Sequence, residues 1–265
     1  MYEFNYHRPT TLAEAKTLLE SNADAKLVSG GMTLLPTMKL RLARPTDLVD
    51  IGNIRDLGGI RVDAKNVEVG AAVRHAEVAS SADVRKAIPA LSDLAGLIGD
   101  PQVRNRGTLG GSIANSDPAA DYPAAVLGLG ATIRTDRREI AADDYFLGMF
   151  ETALEPGEIV VAVRFPRAKR AAYAKFPNPA SRYAVVGVFV AETGAGIRVA
   201  VTGAGACAFR VPEMETALGR KFAADSLDGI EVDAAELNGD LHASPEYRAH
   251  LVGVMARRAV SAAGG

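Results

Sequence analysis

Two glycine pairs, each set between hydroxyl side chains, are the part of this 265-residue sequence best suited to chemistry. The first lies in Ser29-Gly30-Gly31-Met32-Thr33-Leu34 and the second in Thr108-Leu109-Gly110-Gly111-Ser112. A turn needs one residue that tolerates positive φ. Two adjacent glycines suggest that something also approaches the backbone closely. A bend without side chains can turn successive N–H groups toward one point and form an anion-binding concavity, and hydroxyls beside it add donors. Two such loops facing each other suit a pyrophosphate. At Gly111 both positive φ and a close phosphate are expected. The glycine spacing of "GTLGGS" fits neither the G-x-G-x-x-G fingerprint nor a P-loop. A nicotinamide cofactor or a nucleoside triphosphate held in those familiar ways is therefore disfavoured.

Other chemistry is sparse. The single cysteine, Cys207, cannot form an internal disulfide or by itself hold zinc or an iron–sulfur cluster. Its small apolar neighbours predict a buried structural residue. His7, His75, His242 and His250 show no metal-ligand spacing, so no resident metal is expected. His75 reads as a helix-start residue rather than a catalytic base. Arg104 and Arg106 read as loop-fixing cations in preference to phosphate ligands. Asp117 and Asp121 read, on residue type alone, as turn residues. The formal net charge of -2 gives no electrostatic reason to expect nucleic acid or an anionic membrane. No apolar run approaches the roughly 18 residues of a membrane span, and the N-terminus lacks the pattern of a secretory signal.

These loops need elements to position them. "TTLAEAKTLLES" puts Leu12, Ala15, Leu18 and Leu19 on one helical face, with Thr10 or Thr11 as cap and Glu14 in a capping-box position. "AKLV" and "DLVDI" read as strands around a helix in "LLPTMKLRLA", making the first fifty residues a small α/β unit. Next come two strands in "GIRVDAKNVEVGAAV", then helices in "HAEVASSADVRKAI" and "PALSDLAGLIGD". The stretch "DPQVRNRGTLGGSIANSDPAADYP" reads as one long functional loop. "ATIRT", "REI" and "EIVVAVRFP" read as strands. A boundary is placed in the basic stretch "FPRAKRAA". Beyond it lie three hairpin-connected strands and two helices, the last with Leu251, Val254, Met255 and Arg258 in a stripe expected to pack on the sheet. The domains are then 1–168, subdivided at 55/56, and 169–265.

The segments "SGGMTLLPTMKLRLARP", "GAAVRH", "IGDPQVRNRGTLGGSIANSDPAADYPAAVLGLGA" and "YRAHL" together resemble the FAD-binding subunits of molybdenum hydroxylases. The resemblance is nearest to the medium subunit of aerobic carbon monoxide dehydrogenase and more distant to the xanthine dehydrogenase flavin domain. It runs essentially from end to end. It implies an α+β fold: a two-part FAD-binding module of the PCMH/vanillyl-alcohol-oxidase type, then a small C-terminal domain with a three-stranded antiparallel sheet and helices. It further implies non-covalent FAD with its pyrophosphate between Ser29–Leu34 and Thr108–Ser112. Gly30, Gly31, Gly110 and Gly111 would supply N–H groups, and Thr33, Thr108 and Ser112 hydroxyls. By the same resemblance Asp121 lies near the flavin and ribityl region, and Lys175 and Tyr183 near the isoalloxazine ring. The sequence departs from the family at Ser29, usually alanine, and at Met32, usually polar; FAD binding is expected to survive both changes.

The resemblance implies an oxidoreductase subunit that receives electrons from iron–sulfur clusters and passes them through FAD to an external acceptor. Molybdopterin and the clusters would belong to a large and a small partner subunit, in a dimer of heterotrimers. The location implied is cytoplasmic, at the inner membrane face if the complex associates peripherally. Two other classes stay open at this point: a self-contained flavin oxidase with its own substrate, and a non-catalytic binding module. The small C-terminal region with few acid–base candidates counts against the first. The retained glycines and hydroxyls count against the second.

Overall fold

The computed structural model describes residues 1–264. Its first sheet is parallel, in the order β1-β3-β2, from β1 (Asn5–His7), β2 (Lys26–Val28) and β3 (Asp47–Asp50). Helix α1 (Leu12–Ser21) starts where Thr11 Oγ1 accepts the Glu14 N–H at 3.2 Å, while the Glu14 carboxylate accepts the Thr10 N–H at 2.7 Å. Two N-terminal donors are thereby satisfied. Ala15, with Leu12, Leu18 and Leu19, packs against Val49, Ile51, Ile159 and Val161. Helix α2 (Leu34–Lys39) is shorter than its sequence suggests. It ends at Leu40, and Arg41 turns the chain with φ of 61°.

The second sheet has the order β4-β5-β10-β6-β7 and is antiparallel throughout. Its strands are β4 (Ile60–Val62), β5 (Asn66–Gly70), β6 (Thr132–Thr135), β7 (Glu139–Ala141) and β10 (Val160–Pro166). A short hairpin, β8 (Phe146–Gly148) and β9 (Glu151–Thr152), intervenes. Five helices share the core of this sheet: α3 (His75–Ser80), α4 (Ala82–Ala87), α5 (Pro89–Gly96), α7 (Leu109–Asn115) and α8 (Tyr122–Leu129), with one turn, α6 (Pro101–Arg104), between α5 and α7. Two expectations are corrected. "HAEVASSADVRKAI" is two helices, because Ser81 leaves the helical region and caps α4 by accepting the Val84 N–H. The expected long loop is largely helical, and all eight residues of α8 are buried. The physical reasons differ: α6 is one turn with no buried residue, α7 carries two glycines in its first turn, and α8, apolar on every side, has no 3.6-residue periodicity to read.

The third sheet is antiparallel, β11-β12-β13-β14, with β11 (Arg170–Pro177), β12 (Ala184–Thr193), β13 (Gly196–Thr202) and β14 (Phe209–Arg210). The three expected strands are thus joined by a two-residue fourth. Helices α9 (Pro212–Arg220) and α10 (Pro245–Ala262) lie with this sheet. Leu251 and Met255 of α10 are buried in one cluster with Val186, Val188 and Val190 of β12. The α10 stripe therefore packs on the sheet.

The third sheet is joined to the rest of the molecule through the segment between α7 and α8. Gly203 N–H donates to Pro118 O at 2.8 Å and Ala184 N–H to Ala119 O at 3.2 Å. The Thr202 hydroxyl reaches Ala120 O at 2.6 Å. Asp121 accepts the Tyr173 hydroxyl at 2.6 Å and pairs with the Lys175 ammonium at 2.9 Å. Both charged side chains are almost fully covered, at 3% and 4% exposure. Burial pushes the Asp121 carboxyl up, while Lys175 and Tyr173 pull it down. Breaking a buried pair from one side costs more than deleting both partners. Lys175→Met should destabilise the fold by about 3–5 kcal/mol in urea titrations, and adding Asp121→Asn should recover part of that loss. Equal stability of wild type and Lys175→Met would contradict this account.

Candidate cofactor site

A cavity of about 690 Å³, within the roughly 300–1,000 Å³ of ligand sites, is walled by β2 of the first sheet, the start of β10 in the second, the two glycine loops and the loop between β11 and β12. It brings together Ser29, Gly30, Gly31, Met32, Thr33 and Leu34 from the first glycine loop. Thr108, Gly110, Gly111 and Ser112 line it from the second, with Asp121 and Tyr183 from further along the chain. Two of the predicted residues do not line it. Leu109 is fully buried in the core beneath the second loop. Lys175 reaches Asp121 from behind and lines a separate cleft. A residue whose side chain supports a wall cannot be told from one facing the space by its position in a motif.

The two loops touch directly. Ser29 Oγ and Thr108 Oγ1 are 3.0 Å apart and hydrogen-bonded. A Cβ at Gly30 would fall well inside van der Waals contact with Arg106 O and 2.7 Å from Gly107 Cα. Glycine at 30 is thus required by the neighbouring loop's backbone. Gly31 takes φ of 71° and makes the turn.

Their donors differ in a way the sequence does not reveal. Among the described residues, no protein group accepts from the N–H groups of Gly30, Gly31, Met32 or Thr33. Four consecutive donors stand at one wall of the cavity without partners, and such a run suits a phosphate-bearing ligand. In the second loop the corresponding donors are already engaged, which corrects the expectation for Gly110 and Gly111. Gly110 N–H donates to Ala71 O at 2.9 Å, and Gly111 N–H to Thr108 Oγ1 at 3.2 Å. Gly111 is not the positive-φ glycine expected there, because Thr108 caps α7 and Gly111 lies in its first turn. Gly110 fits against β5's end, where a Cβ would come within 2.5 Å of Ala71 Cβ. The second loop therefore offers its hydroxyls, Thr108 and Ser112, more than its backbone.

Several residues with polar groups at this cavity were missed or read otherwise. His75 starts α3 as expected, yet it is 5% exposed and lines the cavity. Its ring lies beside Tyr122, centroids 5.3 Å apart, and a Cβ at Gly107 would be 2.5 Å from Nε2. Its Nδ1 has no hydrogen-bond partner. Desolvation, with help from Arg104, lowers its pKa to about 4, so the ring is neutral near pH 7. Asn115 lines the cavity one helical turn beyond Gly111; helical spacing would reveal it once α7 is recognised. Asp117 bonds the Ala119 N–H at 2.9 Å as a turn residue and also faces the cavity, where burial raises its pKa. Tyr183 places its hydroxyl beside Thr33, and burial and the nearby Asp117 raise its pKa. Arg104 fixes a loop, donating to Ile98 O and Gly99 O at 3.0 and 2.9 Å. Cys207 is half-buried, its Sγ 3.8 Å from Phe146 O, rather than fully enclosed.

The comparisons with known proteins agree in kind. Residues 2–168 match the family described as FAD binding domain in molybdopterin dehydrogenase. Residues 171–263 match the CO dehydrogenase flavoprotein C-terminal domain. The chain is 37% identical to the carbon monoxide dehydrogenase medium chain of Hydrogenophaga pseudoflava, across 98% of this chain and 96% of that one. It is 35% identical to the nicotine 6-hydroxylase medium subunit of Paenarthrobacter nicotinovorans, again across 98% of this chain and 96% of the relative. A solved carbon monoxide dehydrogenase from H. pseudoflava, lacking the Mo-pyranopterin moiety of its molybdenum cofactor, superposes with a TM-score of 0.89. That match has 36% identity and covers 99% of this chain and 98% of the other.

Two outcomes follow from this geometry. In Gly30→Ala the new methyl must push the loops apart, so bound flavin should fall at least about tenfold, with a stability loss of about 1–3 kcal/mol. Flavin absorbance per chain checks the first and urea unfolding the second; full flavin content would contradict the loop contact. The folded state keeps His75 neutral, so its contribution is intact above pH 6.5 and is lost as pH falls from 6.5 to about 4. The loss should total about 3 kcal/mol. His75→Gln should show a flatter urea midpoint over that interval than wild type, and parallel curves would refute the assignment.

Proposed function

The chain belongs to the FAD-binding medium subunits of carbon monoxide dehydrogenase and related molybdenum hydroxylases, and from that premise we propose that it is the electron outlet of a multisubunit oxidoreductase. Its cofactor is FAD, and the run of four unpartnered N–H groups from Gly30 to Thr33 supports placing the pyrophosphate at the first loop. Thr33, Thr108 and Ser112 add hydroxyl donors, and the Ser29–Thr108 bond keeps the two loops at a fixed separation. Bound FAD supplies the redox chemistry.

The remaining work falls to the chain's own side chains. Asp121, locked by Tyr173 and Lys175, fixes one wall of the site and offers a carboxylate to the ribityl and flavin end. Tyr183 borders the cavity beside Thr33 and limits solvent there. His75, neutral and buried, backs the second loop without adding charge. The polypeptide divides functionally at 168/169 in this reading. The first part provides the loops, and the second supplies Lys175 and Tyr183.

Electrons would arrive from iron–sulfur clusters in a small subunit, after substrate oxidation at a molybdopterin centre in a large one. One cysteine cannot ligate such a cluster, and the described residues contain no group of three or more His, Cys, Asp or Glu able to hold a metal. No described helix is long and apolar enough to cross a membrane. The complex is proposed as a dimer of heterotrimers in the cytoplasm, in peripheral contact with the membrane's inner face. Its substrate is chosen by the large subunit.

The purified chain should carry about one FAD, all released by acid precipitation. Alone it should not oxidise carbon monoxide, purines or aldehydes, and substrate-dependent dye reduction should appear only after both partner subunits are added. Turnover by the lone chain would promote the self-contained oxidase, and release of FMN would refute the pyrophosphate site.

A further inference from the structure

A second cleft, of about 350 Å³, adjoins the cofactor cavity and shares Gly99 and Arg182 with it. Its charged lining residues are Arg104, Lys175 and Arg182, and no carboxylate lines it. Lys175 is neutralised by Asp121 behind the wall. Among the described residues, neither Arg104 nor Arg182 is ion-paired with a carboxylate; both donate to backbone carbonyls instead. Three successive carbonyls after α5 organise the cations. Leu97 O accepts from Lys175 at 3.1 Å, and Ile98 O and Gly99 O accept from Arg104. Gly99 O also meets Arg182 at 3.5 Å. Each contact uses only part of its cation's donor set, because a guanidinium has five N–H donors and an ammonium three.

Arg182 is held in an unusual conformation. Its φ is 62°, a region that residues with a Cβ seldom occupy. The buried Asn178 fixes the loop, with its Oδ1 accepting from Ala180 N–H at 2.9 Å and Ser181 N–H at 3.1 Å. Asn178 O accepts the Arg182 N–H at 2.9 Å. Strained backbone retained beside a ligand cavity points to function. Capping the C-terminal carbonyls of α5 would account for Arg104 and Lys175. It does not account for Arg182, whose single bond to those carbonyls is long and whose guanidinium is exposed.

We propose that this cleft binds the anionic group, phosphate or carboxylate, of a small-molecule electron acceptor that reacts beside the cofactor cavity. Paired guanidiniums match the planar and forked oxygens of both groups. The acceptor gains two electrons and a proton, the reduced cofactor next door loses them, and no bond to the anchoring group forms or breaks. The inference rests on the assignment of the neighbouring cavity to FAD.

The test uses the FAD-loaded chain and its Arg182→Gln variant. Pyrophosphate is titrated calorimetrically in low-chloride buffer. In parallel, dithionite-reduced protein is re-oxidised by 1,4-naphthoquinone-2-sulfonate and by uncharged 1,4-naphthoquinone. Wild type should bind pyrophosphate saturably, and the variant about tenfold or more weakly, the loss expected for a charged hydrogen bond. The rate ratio of anionic to neutral quinone should drop by a similar factor while flavin content stays unchanged. If Arg182→Gln alters flavin content, Arg104→Gln, whose guanidinium shares the Gly99 carbonyl with Arg182, replaces it. Absence of saturable binding in wild type, or a rate ratio unmoved in the variant, overturns the proposal. A wild-type chain that takes up no FAD fails the cofactor assignment instead; the cleft is then read only from the part of the pyrophosphate binding that Arg182→Gln removes, because the open first glycine loop can take the same anion.

Discussion

A buried carboxylate that must stay paired governs this structure. Asp121 sits at the start of α8, a helix with no exposed face, and its partners Tyr173 and Lys175 come from the first strand of the last sheet. Desolvating both charges is costly unless the geometry is good and the remaining donors are used. The Tyr173 hydroxyl and Leu97 O meet that condition. The pair therefore fixes β11 against α8, and with it the distance between the loop carrying Tyr183 and the first glycine loop carrying Thr33. The hydrogen bonds from Ala184, Thr202 and Gly203 to the carbonyls of residues 118–120 hold the same segment along its length. A cofactor wall made by one part of the chain is thus held in place by another.

The two glycine loops look alike in sequence and act differently in space. The first keeps its donors free because Gly31 turns the chain before α2 begins, leaving Gly30 to Thr33 outside any ladder. The second feeds its donors into β5's end and into the cap of α7. Its rigidity is useful to the first, since Ser29 and Thr108 bond across the gap and Gly30 rests on the backbone of Arg106 and Gly107. One loop meets the ligand through its backbone. The other sets the distance at which it does so.

Ser29 and Met32 stand where the resemblance in sequence implies alanine and a polar residue, and the structure gives each a place. Ser29 supplies the hydroxyl that reaches Thr108, a contact alanine could not make. Met32 lines the cavity with its side chain partly in solvent, while its N–H remains among the unpartnered donors. The backbone donor is independent of side-chain type, so loss of a polar side chain there leaves the cradle in being.

The sequence alone determined the family, the cofactor class and most strands. Those signals are local: a continuous apolar, Val-rich run for β12, apolar residues at every second place in β13, Thr11 with Glu14 for α1, and glycines between hydroxyls for the two loops. Most residues it indicated do face the cavity, because a motif keeps neighbours in sequence near one another in space. Only the tertiary structure decided which donors are free. Gly110 and Gly111 read as equivalents of Gly30 and Gly31 until Ala71 and Thr108, distant or oriented by a helix cap, take their N–H groups. It likewise decided that Leu109 faces the core and that Lys175 stands behind Asp121 rather than in the cavity. It also brought His75 to the cavity wall beside Gly107. Hydrogen-bond partnership and burial are properties of pairs of atoms far apart along the chain, and no local pattern of residues encodes them.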